Sequence, residues 1–158
     1  MKRSAAVKLD DLITVIEIQM DESITYINIQ TGEVITLSTE EMRAAEDGEP
    51  LENYPDWQRE NIEQALKIIE DEGEVYLDFT LSNEYNEYEI VEEFIGTLSK
   101  AEVRKELFGA IQGRGAFRRF KDGIIEHDVE KLWFDFKEKK VKELVIEWCE
   151  EKDLEIAE

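Results

Sequence analysis

The chain has 158 residues and a mass of 18.5 kDa, which fits one domain of ordinary size. Apolar residues make up 42% of it, enough for a hydrophobic core, and this excludes disorder along the whole chain. The 40 acidic and 19 basic residues give a net charge of −21, which disfavours general electrostatic binding to nucleic acid or anionic membranes.

Single residues narrow the possible chemistry further. Cys149 is the one cysteine, so an intrachain disulfide cannot form, and His127 is the one histidine. This excludes zinc sites built from His and Cys clusters, and it excludes Ser-His-Asp or Cys-His machinery unless His127 serves alone. We expect a surface position for His127 and a core position for Cys149. No catalytic residue, metal or cofactor is assigned, and the pattern favours a protein that is not an enzyme.

The N-terminal half predicts a small antiparallel sheet with helices around it. Apolar spacing predicts a short helix over residues 7–18, and residues 24–37 predict a β-hairpin. We expect a three-residue loop, Gln30–Gly32, with Gly32 left-handed and Glu33 opposite Ile29. That register places five residues on one buried face: Thr25, Ile27, Ile29, Ile35 and Leu37.

Capping signals then mark further elements. Ser38 and Glu41 form a capping-box pattern that starts a helix reaching about residue 47. A loop over 47–56 contains both prolines, and we expect Asp56 to cap a helix over 57–71 that Gly73 ends. Residues 75–79 alternate in polarity and are a candidate third strand.

From Ser82 onward the sequence predicts helices alone. The first covers residues 83–98. The second is opened by another capping box, at Ser99 and Glu102, and is closed by Gly113. The third and fourth cover residues 116–126 and 133–152. The predicted class is therefore α+β, with a mostly helical C-terminal half. We expect a single domain over 1–158, in which an N-terminal α/β lobe (about 1–80) and a helical lobe (about 81–158) share a core.

Basic residues are concentrated in one segment of this acidic chain. Residues 100–121 contain seven bases and two acids, and the segment is centred on the string G-R-G-A-F-R-R-F-K-D from Gly113 to Asp122. Two glycines before a helical pattern predict a tight turn, and guanidinium groups bind carboxylate or phosphate in bidentate fashion. Phe117 and Phe120 are expected to point together into the core. The predicted anion-binding residues are Gly113, Arg114, Gly115, Arg118, Arg119 and Lys121.

The same arginines have a purely structural interpretation. In this interpretation they serve as counter-charges for the acids just upstream, which are Glu84, Glu87, Glu89, Glu92 and Glu93. Glu89 and Glu93 also share a helical face that could hold a divalent ion, although such pairs arise by chance in a chain with 40 acids. The sequence alone leaves open whether the basic segment is a site or an ion-pair network.

Three strings resemble the bacterial uncharacterised protein family 0158. They are G-R-G-A-F-R-R-F-K-D, W-F-D-F from Trp133 to Phe136, and E-L-V-I-E-W-C from Glu143 to Cys149. The stretch Y-E-I-V-E-E-F from Tyr88 to Phe94 is also similar to that family. The resemblance implies a bacterial cytosolic setting and a shared fold unit, and it implies no activity.

We therefore expect a non-enzymatic cytoplasmic binding or regulatory protein whose partner is an unknown protein or a small anionic ligand. In this hypothesis the turn and helix from Gly113 to Lys121 bind an acidic group. One alternative is a carboxylate-dependent hydrolase acting on a phosphate-bearing substrate, with Arg114, Arg118 and Arg119 as clamps. Another alternative is a nucleic-acid mimic that uses its acidic surface. We expect neither a signal peptide nor a membrane span.

Overall fold

The computed structural model describes residues 6–18 and 21–157 and divides the chain into two compact units. The first contains residues 1–84 and 145–158, with 27 acids and 7 bases and a net charge of −20; we call it the acidic unit. The second, the helical unit, contains residues 85–144, with 13 acids and 12 bases and a net charge of −1. Almost the whole net charge of the protein therefore belongs to the acidic unit.

The elements confirm a mixed α+β fold with a mostly helical C-terminal half. In chain order they are β1 (Ala6–Lys8), α1 (Leu9–Ile18), β2 (Ser23–Asn28), β3 (Val34–Ser38), α2 (Thr39–Glu46), a 3₁₀ turn (Leu51–Asn53), α3 (Asp56–Glu70), β4 (Tyr76–Asp78), α4 (Leu81–Glu84), α5 (Glu87–Thr97), α6 (Ala101–Ala110), α7 (Ala116–Glu126), α8 (Glu130–Glu151) and β5 (Glu155–Ala157). Of the helices in residues 6–18 and 21–157, none combines the length and the apolar character needed to cross a membrane.

The acidic unit contains the predicted hairpin and third strand as an antiparallel sheet in the order β3-β2-β4. The hairpin register, however, differs from the predicted one by one residue. Ile27 lies opposite Val34, so the loop has four residues, Ile29–Gly32, instead of three. The Asn28 side-chain oxygen accepts hydrogen bonds from the backbone N–H groups of the second and third loop residues, at 2.9 and 3.1 Å, and this stabilises the longer loop. The left-handed conformation predicted for Gly32 is confirmed, with φ +79°.

The corrected register divides the predicted buried face between the two sides of the sheet. Thr25 lies opposite Thr36, and their hydroxyl oxygens are 2.9 Å apart. Ile35 and Leu37 lie on the other side, in a core cluster with apolar residues of α2 and α3. A shift of one residue exchanges the faces of a strand. Because both sides of this hairpin bury apolar residues, alternation in the sequence does not determine its register.

The two terminal strands were not predicted. β1 pairs in parallel with β5, with Val7 opposite Ile156. Each strand has three residues, and each directly adjoins a helical pattern, so neither has a clear signal of its own. The expectation that residues after Ser82 form helices alone is therefore wrong.

Helix boundaries in the acidic unit follow capping chemistry. The predicted capping box is formed: the Ser38 hydroxyl accepts from the Glu41 N–H at 3.1 Å, and the Glu41 carboxylate accepts from the Ser38 N–H at 2.9 Å. Asp56 is not the cap of α3. Pro55 is the N-cap residue, and Asp56 lies in the first turn, where its carboxylate is 3.1 Å from a guanidinium nitrogen of Arg59.

The helical unit consists of α5, α6, α7 and the first part of α8. The predicted helix over 83–98 is interrupted, because Asn86 caps α5 by accepting a hydrogen bond from the Glu89 N–H at 3.4 Å. The second predicted capping box is absent: Lys100 is the N-cap residue of α6, and no side chain caps that end among the described residues. α7 has the predicted bounds, Ala116–Glu126, while α8 begins before the predicted Trp133.

Aromatic side chains form the centre of the helical unit. The Phe94 ring centroid lies 5.4 Å from that of Trp133 and 6.2 Å from that of Phe120, and the Phe120 and Trp133 centroids are 4.9 Å apart. All three side chains are buried in one cluster with apolar residues of α5, α6 and α7. α7 is therefore attached to the core along one side, and its other side is exposed to solvent.

Candidate functional site: a basic turn and helix

Two glycines shape the turn between α6 and α7. Gly113 and Gly115 have left-handed backbone, with φ of +75° and +76°, and Gly115 is the N-cap residue of α7. A Cβ on Gly115 would lie 3.0 Å from Nη1 of Arg119, whereas a Cβ on Gly113 would have no described atom within 4 Å. These backbone angles form the tight turn that the two glycines predict, and glycine adopts a positive φ without the strain that a Cβ brings.

Arg119 connects the two helices across this turn. Its Nε donates a hydrogen bond to the Ala110 carbonyl oxygen, and its Nη2 donates to the Gln112 carbonyl oxygen, both at 2.6 Å. These carbonyls are at the C-terminal end of α6. The last carbonyl oxygens of a helix have no intrahelical N–H donor, and the helix dipole stabilises a cation beside them. Two of the guanidinium donors are therefore used within the protein. The structure places Arg119 as a residue that positions the turn.

The other three predicted cations differ from Arg119. The side chains of Arg114, Arg118 and Lys121 are exposed. Within residues 6–18 and 21–157, no hydrogen bond or ion pair involves their charged groups. The turn thus presents three neighbouring cations to solvent.

Two of the five acids upstream of the turn have other partners. Glu87 forms an ion pair with Lys137 at 2.5 Å, and Glu93 forms one with Lys140 at 2.9 Å. Both lysines belong to α8, so the counter-charges of these two acids come from that helix. The ion-pair network that the sequence left open therefore does not include the exposed arginines among the described residues.

The two phenylalanines of α7 have different surroundings. Phe120 is buried in the aromatic cluster, as predicted. Phe117 is 45% exposed and contacts only the edge of the core, with its ring centroid 6.4 Å from that of Tyr88 in a T-shaped arrangement. The prediction that both point into the core is wrong for Phe117. Three residues correspond to 300° around a helix, so Phe117 is offset by 60° from Phe120 and lies at the border of the buried side.

His127 and Cys149 are explained by local structure. His127 Nε2 lies 2.6 Å from a carboxylate oxygen of Glu106, and the histidine side chain is only 20% exposed, so the predicted surface position is wrong. The sequence indicated that His127 lies at the end of a helix. At such a position a side chain of another helix in the same unit, here Glu106 of α6, can pair with the imidazole. Cys149 is buried as predicted, and burial raises the pKa of its thiol to about 11.

Two further features of the helical unit lie apart from the turn. A cavity of about 640 Å³ is lined by residues of α5, α6 and α8 and by His127, and none of the six predicted anion-binding residues lines it. No group of three or more His, Cys, Asp or Glu side chains suited to a metal ion occurs in the described part of the chain. Glu93, which with Glu89 formed the candidate ion-binding pair, is paired with Lys140.

Sequence analysis missed the exposed apolar residues beside the cations. Ile125, on the last turn of α7, is 63% exposed. For Ile125 the signal was present in the spacing, because it lies about 100° around the helix from Ile124, which occupies the buried side together with Phe120. Exposed apolar side chains between cations are a feature of interaction surfaces.

Comparison with known proteins gives one match. A family model described as Uncharacterised protein family (UPF0158) matches residues 4–158, a range that includes both units and all six predicted site residues. No curated protein and no solved structure matches the chain significantly. The family description carries no reaction, ligand or partner, so the functional argument rests on the geometry.

Proposed function

The chain belongs to the Uncharacterised protein family (UPF0158), and we propose that it is a non-enzymatic binding or regulatory protein of the bacterial cytosol. The turn and helix from Gly113 to Lys121 bind an acidic group, carried by a partner protein or by a small phosphate-bearing molecule. Arg114, Arg118 and Lys121 contact the anion in this proposal. Arg119 holds the turn in place through the end of α6.

One observation carries the proposal: three neighbouring cations have no described ion pair in a chain that contains 40 acids. Of the five upstream acids considered as counter-charges, Glu87 and Glu93 pair with lysines of α8 instead. An external anion is the simplest counter-charge for such a group. Guanidinium groups suit this role because they bind carboxylate and phosphate oxygens in bidentate geometry.

The fixed geometry of the turn supports the same function. Gly115 fixes the start of α7, and the two hydrogen bonds of Arg119 hold that start against the end of α6. A turn that is already ordered loses less conformational entropy when it binds a ligand. The exposed cations are therefore attached to a scaffold that does not have to form on binding.

The charge distribution favours a second candidate function. The acidic unit has a net charge of −20, and a surface of that sign suits a basic partner such as a nucleic-acid-binding protein. In that function the protein would act as a nucleic-acid mimic. The two functions are separable, because the first requires Arg114 and Arg118 and the second requires acids of the other unit.

The experiment measures binding of fluorescein-labelled hexaglutamate and, separately, of tripolyphosphate to the whole chain at low and high salt. Arg114→Gln combined with Arg118→Gln is expected to weaken binding of at least one probe by about tenfold, because two bidentate contacts are lost. Binding to the unchanged protein is expected to weaken with added salt.

Lys67→Gln combined with Lys139→Gln is the matched control, since both lysines are exposed and the charge change is the same. The control is expected to bind as the unchanged protein does. Equal binding by the arginine variant and the control would contradict the proposal, as would absence of binding by the unchanged protein.

A further inference from the structure

The exposed side of α7 carries large apolar side chains among its cations. Phe117, Lys121 and Ile125 follow one another at intervals of four residues, and Arg118 lies seven residues before Ile125. At 100° per residue these four side chains fall within an arc of about 100°. We call them the α7 face. Phe117 is 45% exposed and Ile125 is 63% exposed.

The helix that carries this face is held at three places. Phe120 and Ile124 attach its inner side to the aromatic core. Arg119 fixes its N-terminal end through the Ala110 and Gln112 carbonyls. At the C-terminal end, the Val129 N–H donates to the Ile124 carbonyl oxygen at 2.9 Å, which closes the helix with Asp128 in a left-handed conformation.

The composition of the face discriminates between classes of ligand. A phosphate group would use the cations but would gain nothing from covering Ile125, which is about two and a half helical turns from the start of α7. A nucleic acid or another long polyanion would extend past a face of about 12 Å, by the rise of the helix, into the field of a chain with net charge −21. A short protein segment with both apolar and acidic side chains complements every residue of the face.

We propose that the α7 face is the docking surface for a short acidic amphipathic helix of a partner protein. Apolar side chains of that helix cover Phe117 and Ile125, and its carboxylates pair with Arg118 and Lys121. The inference rests on the proposed function, since it names the class of partner that brings the acidic group. A helix that docks in this way presents anchor side chains spaced by three, four and seven residues. The residues of the α7 face have the same spacing, so the two helices can meet along one side of each.

The test uses two labelled peptides of identical composition. In the first, leucines form one helical face with glutamates beside it; in the second, the same residues are scrambled so that no face exists. Fluorescence anisotropy measures the binding of each to the whole chain. We expect the first peptide to bind about tenfold more tightly, because only it covers both apolar side chains.

Ile125→Gln is the decisive variant, because most of that side chain is already in solvent and the fold does not depend on it. It is expected to remove the difference between the two peptides while leaving the scrambled peptide unaffected. Leu132→Gln is the matched control, since Leu132 is a 56% exposed apolar residue of α8 outside the face. The control is expected to keep the tenfold difference.

The outcomes separate this inference from the proposed function. If both peptides bind equally and Ile125→Gln has no effect, while Arg114→Gln with Arg118→Gln weakens both, the docking surface is overturned and acid binding stands. If a single-stranded oligonucleotide of the same charge binds as tightly as the first peptide, the inference is overturned in favour of a polyanion. If the unchanged protein binds neither peptide, the docking surface is overturned, and acid binding is overturned as well if neither hexaglutamate nor tripolyphosphate binds.

Discussion

Arg118 and Arg119 are adjacent in sequence and differ in what their guanidinium groups contact. Arg119 donates to two backbone carbonyls at the end of α6, at 2.6 Å each. The Arg118 side chain is exposed, and its guanidinium forms no hydrogen bond or ion pair with any described residue. The sequence places both in one basic string. Only the positions of the Ala110 and Gln112 carbonyls distinguish the arginine that stabilises the turn from the one whose guanidinium is exposed to solvent.

This difference predicts opposite results for two single substitutions. Arg119→Gln is expected to lower the free energy of unfolding by about 1 kcal/mol, because the two carbonyls lose a charged donor at a solvent-exposed site. Arg118→Gln is expected to leave stability unchanged and to weaken binding of the acidic probe. Urea denaturation and probe binding measure the two effects, and an equal loss of stability in both variants would contradict the assignment.

At the scale of elements, the sequence predicts what is determined locally. The capping box at Ser38 and Glu41 and the bounds of α7 follow from residues close to one another in the chain, and both are confirmed. The hairpin register is not local, because apolar residues on both faces permit two pairings. The pairing of β1 with β5 joins the two ends of the chain, so no spacing within either strand indicates it.

The candidate site shows the same division. The tight turn at Gly113 and Gly115 was predictable because two glycines before a helical pattern favour a turn, and both glycines have a positive φ. The exposure of Phe117 was not predictable from the pattern, because it lies at the border between the buried and exposed sides of α7. Its ring meets that of Tyr88, a residue of another helix, and the spacing within α7 does not indicate this contact.

The turn between α6 and α7 predicts a difference between its two glycines. Gly113→Ala is expected to cost roughly 1–2 kcal/mol through the left-handed backbone alone. Gly115→Ala is expected to cost more, because its Cβ would also lie 3.0 Å from Nη1 of Arg119 and displace the guanidinium. Gly115→Val is expected to cost about 1–3 kcal/mol.

A double-mutant cycle separates the two contributions. Chemical denaturation in an Arg119→Gln background is expected to make the Gly115→Ala and Gly113→Ala costs equal, because the side chain that the new Cβ meets is gone. Wild-type denaturation midpoints for both alanine variants would show that the turn is an ordinary loop, and the geometric basis of the anion site would be lost.

At the scale of the whole molecule, charge is divided between the two units. The acidic unit has a net charge of −20 and the helical unit a net charge of −1, although the helical unit contains 12 of the 19 basic residues. Mutual repulsion among like charges opposes the compact state. The acidic unit therefore carries most of this cost, and the cations of the proposed site lie in the unit that is close to neutral.

This distribution predicts that salt stabilises the protein. The melting temperature is expected to rise between low salt and ~0.3 M NaCl, as the Debye length falls below about 10 Å. Glu60→Gln with Glu63→Gln, two exposed acids of α3, is expected to raise the low-salt melting temperature more than Glu92→Gln with Glu138→Gln in the helical unit. A flat or falling salt dependence would mean that the acids are already neutralised within the fold.

The central claim is that the turn and helix after α6 bind an acidic group, and backbone NMR of the isotope-labelled chain tests it most directly. Hexaglutamate is titrated into the protein at low salt, and the titration is repeated at high salt. We predict that the amide shifts concentrate between Gly113 and Ile125, that they saturate, and that high salt reduces them. Shifts spread over the acidic unit, or confined to other helices, would contradict the claim.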